Sequence, residues 1–146
     1  MKNLFYLILY LFVLTSCSND DNEVISEELQ FTTVGKNTLH GGENIPQSNL
    51  VFNNQTDWNN FLTQIDAIND LSGTFNETEI DFTDFTVIAV VDEIKTSGSE
   101  ISIINVLENV NSIHITSELT MYSSTVITQP FHIVKIPKTN KQIIFE

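Results

Sequence analysis

The chain has one cysteine, Cys17, in 146 residues, so no disulfide within the chain is available. Stability has to come from a hydrophobic core, which a chain of this length is able to bury. Basic residues are scarce: six Lys plus Arg stand against 19 Asp plus Glu, for a net charge of −13. Phosphate backbones are held by Lys and Arg that displace counterions, so nucleic acid is excluded as an expected partner. Histidines are few, and His40, His114 and His132 lie far apart. None sits two to four residues from another histidine or from the cysteine, so zinc-ligand spacing is missing and no metal site or cofactor is expected. There is no Gly-x-Ser-x-Gly elbow, and the loop serines Ser97, Ser99, Ser123 and Ser124 have no marked base, so no catalytic residue is assigned. Long apolar runs are absent too. The longest, Leu4 to Leu14, is eleven residues, where a spanning helix needs about 20.

That short run has a different use. Lys2 precedes it and the small residues Thr15 and Ser16 follow it, which is the layout of a secretory signal. Leu14-Thr15-Ser16-Cys17 resembles the bacterial lipobox. The resemblance implies that the Cys17 thiol is acylated, that the peptide is cut before it, and that Cys17 becomes the N-terminus. One acyl chain anchors a protein only marginally, and the two or three chains of the lipoprotein family make the anchor stable. The expected partner of this end is therefore the lipid bilayer. An acidic surface adds nothing to that attachment, because anionic headgroups attract basic segments. Ser18-Asn19-Asp20-Asp21-Asn22-Glu23 is polar, acidic and without apolar period. It resembles the acidic signal that sends Bacteroidetes lipoproteins to the outer face of the outer membrane. The expected layout is a signal peptide at 1–16, an acidic flexible tether at 17–28 and one domain at 29–146.

The domain reads mostly as strands. Leu29, Phe31 and Thr33 alternate with polar residues, and Leu50-Val51-Phe52 is a second short strand. Gly35, His40-Gly41-Gly42 and Pro46 punctuate the loop between them. Trp58, Phe61, Leu62 and Ile65 fall at i, i+3, i+4 and i+7, so one helix has an apolar face, with Thr56 or Asp57 as its cap and Ile68 as an extension. Leu71 to Phe85 is a polar excursion pinned by Phe82 and Phe85. Its Asn76, Glu77, Glu79, Asp81 and Asp84 offer oxygens to calcium but lack the spacing and glycine of an EF-hand loop. Thr86 to Val91 is nearly all apolar, as a strand covered on both faces is. Ile101 and Ile103 alternate with polar neighbours until the parity breaks at Ile104, which predicts a bulge. Asn109-Val110-Asn111 turns the chain into Ile113 and Ile115, giving an antiparallel hairpin. Phe131–Ile136 and Gln142–Phe145 are the last strands, with a turn at Pro137–Lys141. The expected class is α+β: a mainly antiparallel sheet of six or seven strands, curled as a half-barrel around one amphipathic helix.

Thr128-Gln129-Pro130-Phe131-His132-Ile133-Val134-Lys135-Ile136-Pro137-Lys138 resembles the C-terminal signature of the PrcB-type domain, named for an accessory lipoprotein of a spirochaete surface protease complex. Lys95-Thr96-Ser97-Gly98-Ser99, leading into Glu100-Ile101-Ser102-Ile103, is similar to that family's Thr-Gly-Gly-aromatic turn. Ser97 replaces its first glycine and Ser99 its aromatic residue, so no ligand role of the aromatic group carries over. The resemblance spans roughly residues 30–140 and implies a non-catalytic accessory or binding role, with an envelope protein as partner. Loops usually carry binding function. The expected binding segment is Lys95, Thr96, Ser97, Gly98 and Ser99, joined by Leu119–Gln129 and His40–Pro46. Two other readings compete. One is a small hydrolase or protease inhibitor acting on surface peptides or glycans, which a buried, pKa-shifted carboxylate or histidine in a cleft would favour. The other is a structural envelope lipoprotein.

Overall fold

The computed structural model describes residues 26–146. The signal, Cys17 and the acidic stretch after it lie outside the described residues. Ten segments follow in order: β1 (Glu27–Glu28), β2 (Thr32–Leu39), β3 (Ser48–Phe52), α1 (Gln55–Ile65), a 3₁₀ turn (Ser72–Thr74), β4 (Phe85–Val91), β5 (Ser99–Glu108), β6 (Ser112–Met121), β7 (Gln129–Pro137) and β8 (Gln142–Phe145). No described helix is long and apolar enough to cross a membrane.

The strands form two four-stranded sheets, in the orders β1-β5-β6-β8 and β2-β7-β4-β3. The fold is broadly α+β, but with eight strands, and the sheet does not curl around the helix. The reason lies in β4 and β7. Val87, Ala89, Val91, Phe131 and Ile133 face one way, into a cluster with Trp58, Phe61 and Ile65 of α1. Ile88, Val90, Val134 and Ile136 face the other way, against Ile101, Ile103, Val106, Ile113 and Ile115 of the second sheet. Strands apolar on both faces need two covers. The helix is one and the β5–β6 hairpin sheet is the other, so the layers run helix, sheet, sheet.

Local signals set most boundaries. The helix cap is Asn54 rather than Thr56 or Asp57: Asn54 Oδ1 accepts the Asp57 N–H at 2.9 Å, and Asn54 Nδ2 donates to Asp57 Oδ2 at 2.7 Å. This satisfies one of the donors that every helix start leaves free. Trp58, Phe61 and Ile65 are buried as their spacing requires, whereas Ile68 lies beyond the Asp66 C-cap and is exposed. The bulge falls at Ile104, between the Ile103 and Asn105 registers. Phe82 and Phe85 pack on the helix-side core, as does Phe75. Glu27 and Glu28, expected in the tether, instead pair with Glu108 and Leu107 as β1, and the Leu29 N–H continues the ladder to Val106 O at 2.8 Å. β8 joins β6 in parallel, the one parallel pairing among the described strands.

The register places the strand ends. Leu39 pairs with Gln129, Val91 with Phe131 and Ser48, and Ser99 with Met121. The loops 40–47, 92–98 and 122–128 therefore emerge at one end of the two sheets. β1 pairs at the other end, so the chain from residue 26 enters opposite these loops.

Candidate functional site

Topology gathers the three expected loops, and a set of internal hydrogen bonds locks them. Gln129, the first residue of β7, is buried at 4 % exposure. Its amide Nε2 donates to Ile45 O at 2.8 Å and to Asp92 O at 3.1 Å, so one side chain reaches both other loops. Its backbone N–H donates to Thr38 Oγ1 at 2.9 Å. Loops 92–98 and 122–128 are joined further by a short ladder. Lys95 N–H donates to Thr128 O at 2.7 Å, and Thr128 N–H donates back to Lys95 O at 3.0 Å. Tyr122 N–H donates to Gly98 O at 2.7 Å, and Gly98 N–H donates to Ser124 Oγ at 2.8 Å.

Each residue of the expected binding segment has a distinct place. Thr96 is exposed. Ser99 is buried, with its hydroxyl 2.6 Å from that of Thr128, which in turn donates to Ser97 O at 2.8 Å. Ser97 and Gly98 are half-buried, and Gly98 is the close-approach position: a Cβ there would sit 2.7 Å from Ser124 Oγ. Neither Ser97 nor Ser99 takes a left-handed backbone, so serine is accommodated at both positions without strain. Lys95 Nζ is 2.9 Å from Glu93 Oε1 and 3.2 Å from Asp92 Oδ2. The hydrogen bond that Lys95 donates to Glu93 leads in raising the Lys95 pKa, burial opposes it, and Asp92 adds to the rise. Most of this segment is thus a brace.

The exposed groups are its neighbours. Ile94, Tyr122, Val126 and Ile127 on the two braced loops, and Met121 at the end of β6 beside them, are all exposed large side chains, with Ile127 the most open at 67 %. The expected range Leu119–Gln129 contains four of these five without marking them as the outward set, and Ile94 falls just outside the expected Lys95–Ser99 segment. Their alternation with braced residues such as Lys95 and Thr128 depends on a pairing between loops about 30 residues apart, which periodicity within one segment does not reveal.

The third loop is held by a carboxylate. Glu43 is 3 % exposed, and both its oxygens accept the His40 N–H at 3.1 Å. Burial acts to raise its pKa, but the backbone N–H groups of His40, Glu43 and Gly41, with the nearby His40 ring, hold it below the ordinary value. Asn44 takes a left-handed backbone at φ 54° in the same turn.

Asp92 was not singled out by sequence, although an acid directly after an all-apolar strand is a usable signal. It is 6 % exposed and lines a cleft of about 480 Å³, together with Gln47, Ser48, Asn49, Ile101 and Leu119. Its Oδ1 accepts Gln47 Nε2 at 3.1 Å and Glu93 N–H at 2.8 Å, while Oδ2 meets Lys95 without a directed hydrogen bond.

The histidines are accounted for by contacts within the fold. His132 is 4 % exposed, between the sheets. Its Nδ1 accepts the Ile103 N–H at 2.8 Å, and Nε2 lies 3.0 Å from Thr33 Oγ1. Accepting at Nδ1 fixes the neutral Nε2–H tautomer. Burial foremost, then the Lys36 charge, pushes its pKa down to about 4, with Glu100 pulling the other way. His114 Nδ1 is 2.5 Å from Glu146 Oε1, and His40 Nδ1 is 3.5 Å from Glu43 Oε1. In the acidic excursion, Glu77 pairs with Lys135 at 2.5 Å, and Asp81 Oδ1 accepts the Thr83 N–H and hydroxyl at 2.9 and 2.6 Å. No group of three potential metal ligands forms among the described residues.

The segment Thr128–Lys138 that carries the family resemblance contains β7, the second strand in from one edge of its sheet and buried at all but two of its nine positions. Its apolar pattern is what such a strand requires, whatever the domain binds. No family model, curated protein or solved structure matches this chain.

Proposed function

We propose that this chain is a lipoprotein anchored in the outer membrane through acylated Cys17, exposed at the cell surface, whose domain is a non-catalytic accessory module that binds a protein of a cell-envelope complex. The observation that carries the reading is the loop end. Five large, mostly apolar side chains stand exposed on, or directly beside, two loops that are already hydrogen-bonded to each other and to a third. Clustered exposed apolar groups mark association surfaces. Loops ordered before contact lose less conformational freedom on binding. The likeness of Thr128–Lys138 and Lys95–Ser99 to the PrcB-type domain supports the same reading. So does the entry point of the described chain: β1 pairs at the end of the sheets opposite these loops.

Hydrolysis has weaker support. His132 is buried and shifted, but both ring nitrogens are engaged within the fold and it lines none of the clefts described. Asp92 borders a cleft, but Gln47, the Glu93 N–H and Lys95 occupy its carboxylate, and the nearby Ser48 hydroxyl donates to Pro46 O.

The test is affinity capture of the lipidated chain from detergent-solubilised outer membranes, run beside a variant carrying Ile94→Asp and Ile127→Asp. A reproducible envelope protein recovered with the native chain and lost with the variant is the expected result. Equal recovery with both removes the loop end as the contact. Recovery of the chain alone, from membranes in which control complexes survive, removes the stable-subunit reading.

A further inference from the structure

We infer that His132 is an acid-operated latch between the two sheets: a second ring proton breaks its hydrogen bond to β5 and lets the loop-end half of the β5–β6 hairpin swing away from β7, with the bulge at Ile104 as the pivot. The latch sits where β5 lacks a neighbouring strand. β6 pairs along one side of β5, but β1 reaches only Leu107 and Glu108 on the other. Among the described residues, three side chains tie the free side of Ser99–Ile103 to the opposite sheet and its loop. Thr128 meets the Ser99 hydroxyl, Lys36 pairs with Glu100 and donates to Ser102 Oγ at 2.7 Å, and His132 Nδ1 accepts the Ile103 N–H at 2.8 Å. Only the last is undone by a proton in mildly acid solution, because the hydrogen bond from Lys36 holds Glu100 below the ordinary carboxylate range.

The packing leaves room for the movement. The cleft of about 480 Å³ lies between Val90 and Asp92 on one side and Ile101, Ser117 and Leu119 on the other. Another, of about 310 Å³, lies between Lys36, Asn37 and Thr38 of β2 and Ser99 and Glu100 of β5. By strand order β7 runs between these clefts, so the sheets already stand apart on both flanks of the His132 bridge. The pivot is next to the latch. The β5–β6 register breaks between Ile103 and Asn105, and Asn105 Oδ1 is buried with no hydrogen-bond partner. A bulge interrupts the ladder and bends its strand. Beyond it, Val106, Ile113 and Ile115 pack with Val134 and Ile136 and hold the far half closed.

The ring's own chemistry forces the release. Neutral imidazole has one donor and one acceptor, and both are in use, with Nε2 3.0 Å from Thr33 Oγ1. The protonated ring has two donors and no acceptor, so its Nδ1–H confronts the Ile103 N–H. The new charge is buried, at 4 % exposure. Lys36, its register partner on β2, repels it, and Glu100 on β5 attracts it. The other faces supply no charge. Val90 is the register partner on β4, and Ser117 of β6 stands opposite Ile103. Asp92, after β4, is bonded to Gln47 and paired with Lys95, and Glu118, opposite Ser102 on β6, is exposed. Opening hydrates the ring and gives the Ile103 N–H to water. The ladders of β7 to β2 and β4, and the helix-side core, do not use the His132 ring, so the event is local.

The latch does not depend on what the loop end binds. In the closed seam the ring protonates near pH 4, against 6.5 when solvated. Between these values the opening constant rises about tenfold per pH unit. The test is amide exchange by NMR on the full chain in detergent, corrected for intrinsic rates, beside His132→Gln. Protection of the Ile103 N–H is expected to fall about tenfold from pH 6 to pH 5 in the native chain and to stay level in the variant. Low urea separates local from global opening. Ile103 exchange is expected to be nearly independent of urea, whereas Ala89 and Ile133, in the central ladder, follow full unfolding. Equal protection of Ile103 at the two pH values overturns the latch, as does the same fall in the variant. A urea dependence at Ile103 equal to that at Ala89 overturns it too. Should the variant not fold, the ring nitrogen shifts of the native chain take its place: the Nε2–H tautomer at pH 6 supports the latch, and the Nδ1–H tautomer, which has no acceptor for Ile103, overturns it.

Discussion

The neutral His132 bridge between the sheets makes stability pH-dependent in a window set by its surroundings. In the folded chain its pKa is pushed down to about 4 from an ordinary 6.5. The unfolded chain therefore takes up the proton first as pH falls. Between these values the unfolded state holds more protons, so stability rises with pH across the window. The contribution is fully present above about pH 6.5 and is lost as pH falls toward 4. A shift of this size corresponds to about 3 kcal/mol over the whole window, of which about 2 kcal/mol is lost between pH 8 and pH 5. The upper part of the window is the cleaner place to measure. Glu43, Asp81 and Glu100 are held below their ordinary carboxylate values, so their contributions are present above those values and are lost only at lower pH. The perturbation is His132→Gln, which retains an acceptor for the Ile103 N–H and a donor for Thr33 but does not titrate. Urea unfolding at pH 8, 7, 6 and 5 is expected to show the native chain losing about 2 kcal/mol more than this variant across the series. Equal pH dependence in the two proteins would refute the argument. So would an NMR titration of the folded protein that places His132 near 6.5.

Three further outcomes follow from single contacts. Gln129→Leu removes the donor for the Ile45 and Asp92 carbonyls, which lie 2.8 and 3.1 Å from Nε2; each buried carbonyl left without a partner costs about 1–3 kcal/mol, so chemical denaturation should show a loss of several kcal/mol, with faster amide exchange in loops 40–47 and 92–98. Trp58→Phe keeps most of the apolar bulk in the helix-side core but deletes the Nε1–H bond to Thr78 O at 2.8 Å; the expected loss is about 1–3 kcal/mol, and an unchanged thermal midpoint would show that water replaces that donor. Cys17→Ala removes the thiol proposed to carry the lipid and should leave the chain unprocessed and extractable from membranes by a salt wash; continued membrane retention after the wash would place the anchor elsewhere.

Much of the fold was legible because its signals are local. Helix periodicity at Trp58, Phe61 and Ile65, the parity break at Ile104 and the turn at Asn109–Asn111 each report on a few consecutive residues. The layer arrangement was misread for lack of one step. Thr86–Val91 was recognised as covered on both faces, yet a single sheet around one helix covers only one. Taking that observation seriously, together with the similarly apolar Phe131–Ile136, demands a second apolar layer, and the β5–β6 hairpin with its inward isoleucines was the available candidate. The cap was misplaced by two or three residues because Asn54, Thr56 and Asp57 are all competent capping types, and only the position of the first buried residue chooses among them.

The site was legible as a place and not as a surface. Gly-rich and Ser-rich stretches at 40–46, 95–99 and 119–129 marked loops, and loops are where binding groups concentrate. Whether a loop residue faces solvent or braces another loop depends on contacts such as Gln129 with Ile45 and Asp92, across 84 and 37 residues. No window along the chain contains them. The same distance hides the β3 edge. Whether Ser48–Phe52 is central or terminal in its sheet is decided by where β4, β7 and β2 go, not by its own five residues. Its lack of a guarding charge or proline was visible from the start, but became informative only once the strand order left that edge bare. Polar contacts between distant loops and the order of strands within a sheet are thus the features of this molecule that sequence withholds, and the first of them decides which side chains the loop end turns outward.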